Sequence, residues 1–134
     1  MYGALDISTS ALVANRVRMT TISANLANRS TITNEFGEYE PFRRRLVEMA
    51  AGDPDSGNAM GVHIAAIRED DGPLQAKYEP NSPHADESGY VYYPDIDPVI
   101  EQMNAMEAAR SYEANIAVIE ATKSMMRVAL EVLT

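Results

Sequence analysis

The sequence has no cysteine and no tryptophan, and its 134 residues include only two histidines and two phenylalanines. The lack of cysteine excludes disulfide-stabilised scaffolds, thiol catalysis and zinc sites built on cysteine. Two histidines, His63 and His84, are too few for a histidine-rich metal centre. Hydrophobic residues make up 46% of the chain, which is enough for one folded domain with a core.

Long apolar runs are also missing. The first twenty residues contain Asp6, Arg16 and Arg18 and no apolar run of signal-peptide length. No segment is apolar over the roughly 20 residues that a helix needs to cross a bilayer. We therefore expect a protein that remains in the cytoplasm or leaves the cell by a route that reads no cleavable signal.

The charge of the chain is strongly negative and unevenly distributed. Its net charge of −9 argues against nucleic-acid binding, because that affinity comes from neutralising phosphates. Residues 1–33 carry a net charge of +2, residues 34–97 carry −9 and residues 98–134 carry −2. This division predicts a discontinuous helical core domain, 1–33 plus 98–134, and an acidic region of β-hairpin and loops at 34–97.

The N-terminal part has the pattern of a long helix that packs along another helix. Its first 36 residues contain no proline and, after residue 3, no glycine. A seven-residue apolar repeat, typical of paired helices, is formed by Leu5, Leu12, Met19 and Leu26. The neighbouring positions of the same seam are Ser8, Asn15 and Ile22, and the two polar ones weaken it.

Two asparagines lie one turn apart near the expected end of this helix. The spacing of Asn25 and Asn28 places both amides on one side of the helix. An amide both donates and accepts hydrogen bonds, so we expect the pair to bond across a subunit boundary.

The C-terminal part predicts a longer helix. Asp97 is a favourable N-cap, Pro98 suits the first helical position, and neither glycine nor proline follows. Steps of three and four connect Ala105, Ala109, Tyr112, Ile116, Ile119, Lys123, Met126, Leu130 and Leu133, which is a coiled-coil pattern. The predicted fold is mainly α with a small β insertion, in which the terminal helices form an antiparallel, coiled-coil-like hairpin.

The length of the second helix predicts assembly. About 36 helical residues span roughly 54 Å, whereas a compact monomer of this size has a diameter of roughly 36 Å. The overhanging part still carries apolar Leu130 and Leu133. These side chains need cover, which favours a self-assembling or partner-bound protein over a free monomer.

The middle of the chain has the pattern of short strands and turns. Alternating residues at 62–66 and 74–78 flank a turn-forming segment at 69–73, which predicts that the two segments pair as a hairpin. Residues 90–93 form a further short strand. The segment 51–61, with four glycine or proline residues, is expected to be a mobile loop.

Candidate chemistry in this middle region is sparse. A metal-dependent hydrolase built on His84, Asp86 and Asp95 is one alternative, although these residues fall in a loop without pocket signals. No nucleophile–base pair, P-loop or dinucleotide fingerprint is present.

The triplet at 43–45 is three arginines, which we expect to pair with carboxylates of a neighbouring subunit. A soluble helical-hairpin adaptor that forms discrete dimers is the other alternative.

Three segments resemble the bacterial flagellar rod and hook proteins. Residues 23–28, Ser-Ala-Asn-Leu-Ala-Asn, resemble the signature that closes their N-terminal helix. Residues 106–115 and 121–126 are similar to their C-terminal helix motif. The loop at 84–94, with Gly-Tyr-Val-Tyr-Tyr-Pro at its end, and the short chain resemble members from the proximal rod.

The resemblance implies a non-enzymatic subunit of the rod, the drive shaft that carries motor torque to hook and filament. It implies export by the flagellar type III apparatus without signal cleavage, and location in the periplasm-spanning rod of the basal body. The implied partners are the rod proteins FlgB, FlgF and FlgG, together with FliE, the MS ring and the export apparatus. No cofactor, metal or nucleic acid is expected.

We expect the assembly interface to lie on the two terminal helices, whose packing would form the inner tube of the rod. Its predicted residues are Leu5, Leu12, Met19, Ile22, Asn25, Leu26, Asn28, Tyr112, Ile116, Ile119, Met126, Leu130 and Leu133.

Overall fold

The computed structural model describes residues 2–134 and has two long helices separated by four strands. The elements are α1 (Tyr2–Ala27), β1 (Arg45–Asp53), β2 (Asn58–Glu69), β3 (Gln75–Tyr78), β4 (Tyr90–Tyr93) and α2 (Pro98–Leu133). The prediction of terminal helices around a small β region is confirmed. Among the described residues, neither helix has a stretch both long and apolar enough to cross a membrane.

Local chemistry explains where the helices begin and end. The Asp97 carboxylate accepts a hydrogen bond of 2.9 Å from the Val99 amide, and Pro98 occupies the first turn, where no N–H partner is needed. At the C-terminal end of α1, the Asn28 side-chain amide donates to the Ala24 carbonyl at 2.8 Å. The Asn28 backbone N–H donates to the same carbonyl at 3.0 Å, so the side-chain bond reinforces the last turn of α1.

The strands form two separate antiparallel pairs, β1 with β2 and β3 with β4. The prediction that 62–66 pairs with 74–78 is therefore wrong. Residues 62–66 belong to β2 and pair with β1, and residues 75–78 pair with β4. The prediction of a mobile loop at 51–61 is also wrong, because this segment holds the end of β1, a turn and the start of β2.

The turn between β1 and β2 explains why β2 pairs with β1, the strand that precedes it in the sequence. The Asp53 carboxylate accepts hydrogen bonds from the Asp55 amide at 3.0 Å and the Ser56 hydroxyl at 2.6 Å. The Ser56 contact, followed by the Asp55 amide, holds the pKa of the Asp53 carboxyl below its usual value. A self-bonded turn brings its flanking segments together at little entropic cost, so the hairpin forms here.

Helix α1 holds the β1–β2 hairpin at both of its strands. The Ser10 hydroxyl accepts from the Val62 amide of β2 at 3.1 Å, and the Asn25 side chain bonds the backbone of Arg45 at the start of β1. Gly61 lies beside the Ser10 contact with a φ of 90°. A Cβ at position 61 would lie 2.9 Å from the Ser10 Oγ, so glycine is required there by conformation and by space.

We predict that Gly61→Ala lowers the free energy of unfolding more than Gly57→Ala does, by about 1 kcal/mol or more. Both glycines have a positive φ, but a Cβ at 57 meets no atom within 4 Å. The difference therefore isolates the contact with Ser10. Urea unfolding followed by circular dichroism measures it, and equal losses for the two variants would contradict the account.

Candidate assembly interface

The fully buried residues of α1 and α2 are mostly small or polar. The buried residues of α1 that recur every seven positions are Ser8, Asn15 and Ile22. The buried residues of α2 are Glu101, Ala108 and Thr122, also spaced by multiples of seven. The heptad row that packs inside the chain is therefore the polar one on α1, and its apolar row, Leu5, Leu12, Met19 and Leu26, is half-buried.

The polar side chains in this contact bond their own helices. Asn15 donates to the Ala11 carbonyl at 2.9 Å, and Thr122 donates to the Val118 carbonyl at 2.8 Å. No buried side-chain nitrogen or oxygen in the described part of the chain lacks a hydrogen-bond partner. The buried polar groups are thus satisfied, and few large apolar side chains are fully buried on either helix, so these fully buried residues stabilise the helix pair only modestly.

Cross-helix pairs run in opposite directions along the two helices. Arg18 of α1 is paired with Glu107 of α2 at 3.2 Å, and Asn25 of α1 lies 3.4 Å from Glu101 of α2. This order is that of an antiparallel pair, while coiled-coil packing of the two helices stays a prediction. The same pairing places the start of α1 level with about residue 124 of α2, so that the last ten or so residues of α2 continue alone for about 15 Å.

The C-terminal part of α2 has bare apolar side chains. Leu130 is 64% exposed and Leu133 is 82% exposed. Val128 and Val132 beside them are also exposed, and Met126 is half-buried. A short helix segment with no neighbour is marginal in water, and its apolar residues have no cover inside the chain.

The remaining predicted interface residues have different surroundings. Ile116 is exposed, whereas Tyr112 and Ile119 are half-buried. A second exposed apolar set in the first half of α2 lies outside the predicted interface: Val99, Ile100, Met103 and Met106. Its signal was present, because positions 99, 103 and 106 are separated by steps of four and three, the spacing of one helix face.

Asn25 and Asn28 have partners inside the chain. Asn25 is 1% exposed, and its amide group exchanges two hydrogen bonds of 2.9 Å with the backbone N–H and carbonyl of Arg45. The Asn28 carbonyl oxygen of the side chain accepts from the Thr31 hydroxyl at 3.1 Å. Within the chain these amides position the segment after α1, and the intersubunit bonds that the sequence suggested stay a prediction.

A buried carboxylate connects this junction to α2. Glu101 is 1% exposed and forms an ion pair with Arg44, the residue before β1. The expectation that the arginine triplet pairs with a neighbouring subunit is therefore wrong for Arg44. Arg43 donates to the Gly72 carbonyl at 2.5 Å, also within the chain. One residue from each of α1, α2 and the segment before β1 thus meets in one cluster, which we call the Glu101 junction: Asn25, Arg44 and Glu101.

The proposed hydrolase residues do not converge. His84 is stacked on Tyr39 with ring centroids 5.3 Å apart, and Asp95 lines a separate crevice beside Arg43 and Arg44. No three histidine, aspartate or glutamate residues of the described chain are grouped so that they could hold a metal ion.

Asp86 organises its own loop. Its carboxylate accepts from the Tyr90 amide at 2.9 Å and from the Tyr92 hydroxyl at 3.1 Å. The Tyr90 hydrogen bond is the main contact that holds the pKa of Asp86 below its usual value. Because the pKa is lowered, the hydrogen bonds of the ionised Asp86 carboxylate stabilise the fold at neutral pH, and this stabilisation is lost as the pH falls. Asp86 therefore has a structural role in the turn.

Comparisons with known proteins agree on one class. Residues 87–132 match the family model described as the C-terminal part of the flagellar basal body rod FlgEFG proteins. The flagellar basal-body rod protein FlgC of Bacillus subtilis is 37% identical over 98% of this chain and 97% of its own length. The FlgC proteins of Salmonella typhimurium and Aquifex aeolicus are 40% and 38% identical, over 90% and 93% of this chain and 89% and 91% of their own lengths.

By these matches the class is that of the flagellar basal-body rod proteins, which confirms the resemblance found in the sequence. Within that class the chain belongs to the FlgC family. Proteins of this family are structural and not enzymatic, so the hydrolase alternative is excluded.

We predict that Glu101→Ala lowers the free energy of unfolding by about 3 kcal/mol or more, because it leaves Arg44 and Asn25 without their buried acceptor. Glu107→Ala is a matched control, since it removes an exposed Glu–Arg pair on the same helix at a cost of about 1 kcal/mol or less. Urea unfolding of each variant, combined with Arg44→Ala in a double-mutant cycle, measures the difference. Additive effects of Arg44→Ala and Glu101→Ala would contradict the coupling.

Proposed function

We propose that this chain is a structural subunit of the proximal rod of the flagellar basal body, the part of the drive shaft that carries motor torque to hook and filament. The observation that supports this most strongly is the distribution of side chains on α2. The contact inside the chain uses small and polar residues, whereas large apolar residues remain outside and continue past the end of α1. Such a helix is suited to burial by neighbouring helices.

In this proposal the two parts of the chain have separate tasks. Residues 1–33 and 98–134 form a helical core domain, an antiparallel coiled-coil-like pair that would pack into the inner tube of the rod. Residues 34–97 form an acidic region supported on α1. The proposal is supported by the contacts of α1 with both α2 and the β1–β2 hairpin, and by the net charge of −9 on residues 34–97.

The assembly surface would be the apolar rows of both helices. The half-buried row on α1, the exposed Ile116 on α2, and Leu130 and Leu133 at its end are the positions available to neighbours. Ile22 and Asn25 are buried, so they would contribute by holding the helix pair and the hairpin in place.

Membership of the family suggests the neighbours and the route of export. They would be FlgB, FlgF and FlgG along the rod, with FliE and the MS ring at its base, after passage through the flagellar type III export apparatus without signal cleavage. Contacts would be between proteins alone, with no nucleic acid and no cofactor. The extended α2, which leaves apolar surface for more than one neighbour, supports such a multi-component assembly.

We predict that the double variant Leu130→Ala, Leu133→Ala is exported but yields few or no completed rods. A Leu→Ala change at a packed site costs roughly 2–5 kcal/mol, and the same contact recurs in every subunit. In the isolated chain both side chains are exposed, so its free energy of unfolding should change by only about 0.5 kcal/mol or less. Electron microscopy of purified basal bodies and urea unfolding of the purified chain provide the two measurements.

The control for this experiment changes two polar residues on the same turns. Arg127→Ala, Glu131→Ala removes two exposed charged side chains and no large apolar side chain, and we expect normal rods. Normal numbers of intact rods in the leucine variant would contradict an assembly role for the end of α2. A stable, discrete dimer of the wild-type chain at micromolar concentration would instead favour the adaptor alternative.

A further inference from the structure

A groove between α1 and the β1–β2 hairpin has an apolar floor and a basic rim. Its volume is about 530 Å³. Val13, Val17 and Ile67 supply its larger apolar side chains, and the charged residues that line it are both arginines, Arg16 and Arg45. Neither guanidinium has a carboxylate partner among the residues the structure describes. A positive, partly apolar groove is unusual on a chain with a net charge of −9.

Beside this groove, where Arg45 also lines a crevice with Asn34 and Glu40, the turn at 34–38 presents a bare aromatic ring. Phe36 is 80% exposed. The turn around it is nevertheless ordered by Asn34, whose side-chain oxygen accepts from the Phe36 and Glu38 amides at 3.0 Å each. The Asn34 backbone N–H also donates to the Glu38 backbone carbonyl at 2.9 Å, and Gly37 has a φ of 77°. The backbone therefore holds the ring away from the chain.

The same turn is acidic. The segment 34–40 contains three glutamates and no basic residue: Glu35, Glu38 and Glu40. An ordered, exposed aromatic side chain among charges of one sign has the composition of an anchor for a protein contact. Its complement is a groove with apolar walls and charges of the opposite sign.

We propose that the Phe36 turn of one copy of this chain docks into the α1–hairpin groove of a second copy. The ring contacts Val13, Val17 and Ile67, and the glutamates approach Arg16 and Arg45. The negative charge of the turn complements the positive charge of the groove. Since both surfaces belong to this chain, a second copy can supply the turn that fills the groove. The proposal deepens the assembly role proposed above and rests on it.

The geometry of such a contact fits an extended assembly. The turn and the groove are different patches, so each copy keeps a free turn and a free groove after it binds one neighbour. A contact of this heterologous kind can continue from copy to copy. One ring and a few ion pairs make an interface below standard size, so the contact is weak in solution and gains occupancy when other subunit contacts hold the copies together.

The lack of cysteine allows a direct test. A chain with Thr20→Cys, which lies in the groove, and Glu35→Cys, which lies beside Phe36, carries one thiol on each proposed surface. At about 1 mM protein, a concentration suited to weak association, a short bismaleimide should convert this variant into a ladder of cross-linked oligomers. Each single-cysteine variant alone should give no ladder, and a mixture of the two should give dimers.

Two substitutions in the double-cysteine chain test the chemistry of the contact. Phe36→Ala should lower the yield of cross-linked oligomers at least about tenfold, as expected for an anchor residue. Arg16→Glu should also lower it, and added salt should weaken the wild-type contact. The matched controls Met60→Ala, an exposed apolar residue of β2, and Arg110→Glu, an exposed arginine of α2, should leave the yield unchanged.

Absence of oligomers, a cross-link confined to one chain, a closed dimer, or a yield indifferent to Phe36→Ala would each overturn the proposal. The cross-linking experiment tests the docking alone. The rod function is tested separately, by electron microscopy of basal bodies from the Leu130→Ala, Leu133→Ala variant. If that variant loses its rods while the cross-link fails, the rod function stands and the docking of two copies is overturned. If the ladder forms and depends on Phe36 and Arg16, the docking is supported even where the leucine variant builds normal rods.

Discussion

The buried carboxylate of Glu101 constrains most of the fold. It lies on the first turn of α2, and its oxygens are bonded by Arg44 before β1 and by Asn25 near the end of α1. A carboxylate removed from water is tolerated where charges and donors replace its hydration, so these elements must meet at that point. Asn25 then fixes Arg45 through two backbone hydrogen bonds, which sets where β1 starts and how the hairpin leaves the helices.

The contact between the two helices complements this junction. The fully buried residues of the two helices are mostly small or polar, so the Glu101 junction and the hairpin contribute to the geometry of the pair. The large apolar residues of α2 are thereby left on the outside. Polar residues are buried on the helices while large apolar residues of α2 are exposed, so the isolated chain lacks cover for its apolar surface. Exposed apolar surface of this kind suits a subunit of an extended assembly.

The errors in the strand prediction have a physical origin. Alternation of residues tells which side chains of a strand share a face, but it does not tell which other strand supplies the hydrogen bonds. The segment 62–66 had a turn on both sides, and the bonds made by Asp53 selected the pairing with β1. For β3 the partner is β4, across a loop ordered by Asp86, and no local pattern marks that pairing.

The sequence by itself determined the bounds of α2, because Asp97, Pro98 and an uninterrupted run of helix formers act within a few residues of each other, and it predicted α1 without the exact residue at which that helix ends. It also determined the family, through motifs near both ends of the chain. The tertiary structure decided which heptad row of α1 is buried. The sequence of α1 contains both an apolar row and a more polar row, and packing against the rest of the chain determines which of the two is buried. It also decided that Asn25 and Arg44 bond within the chain, because the carboxylate they share is more than fifty residues away and only the folded backbone brings it to them.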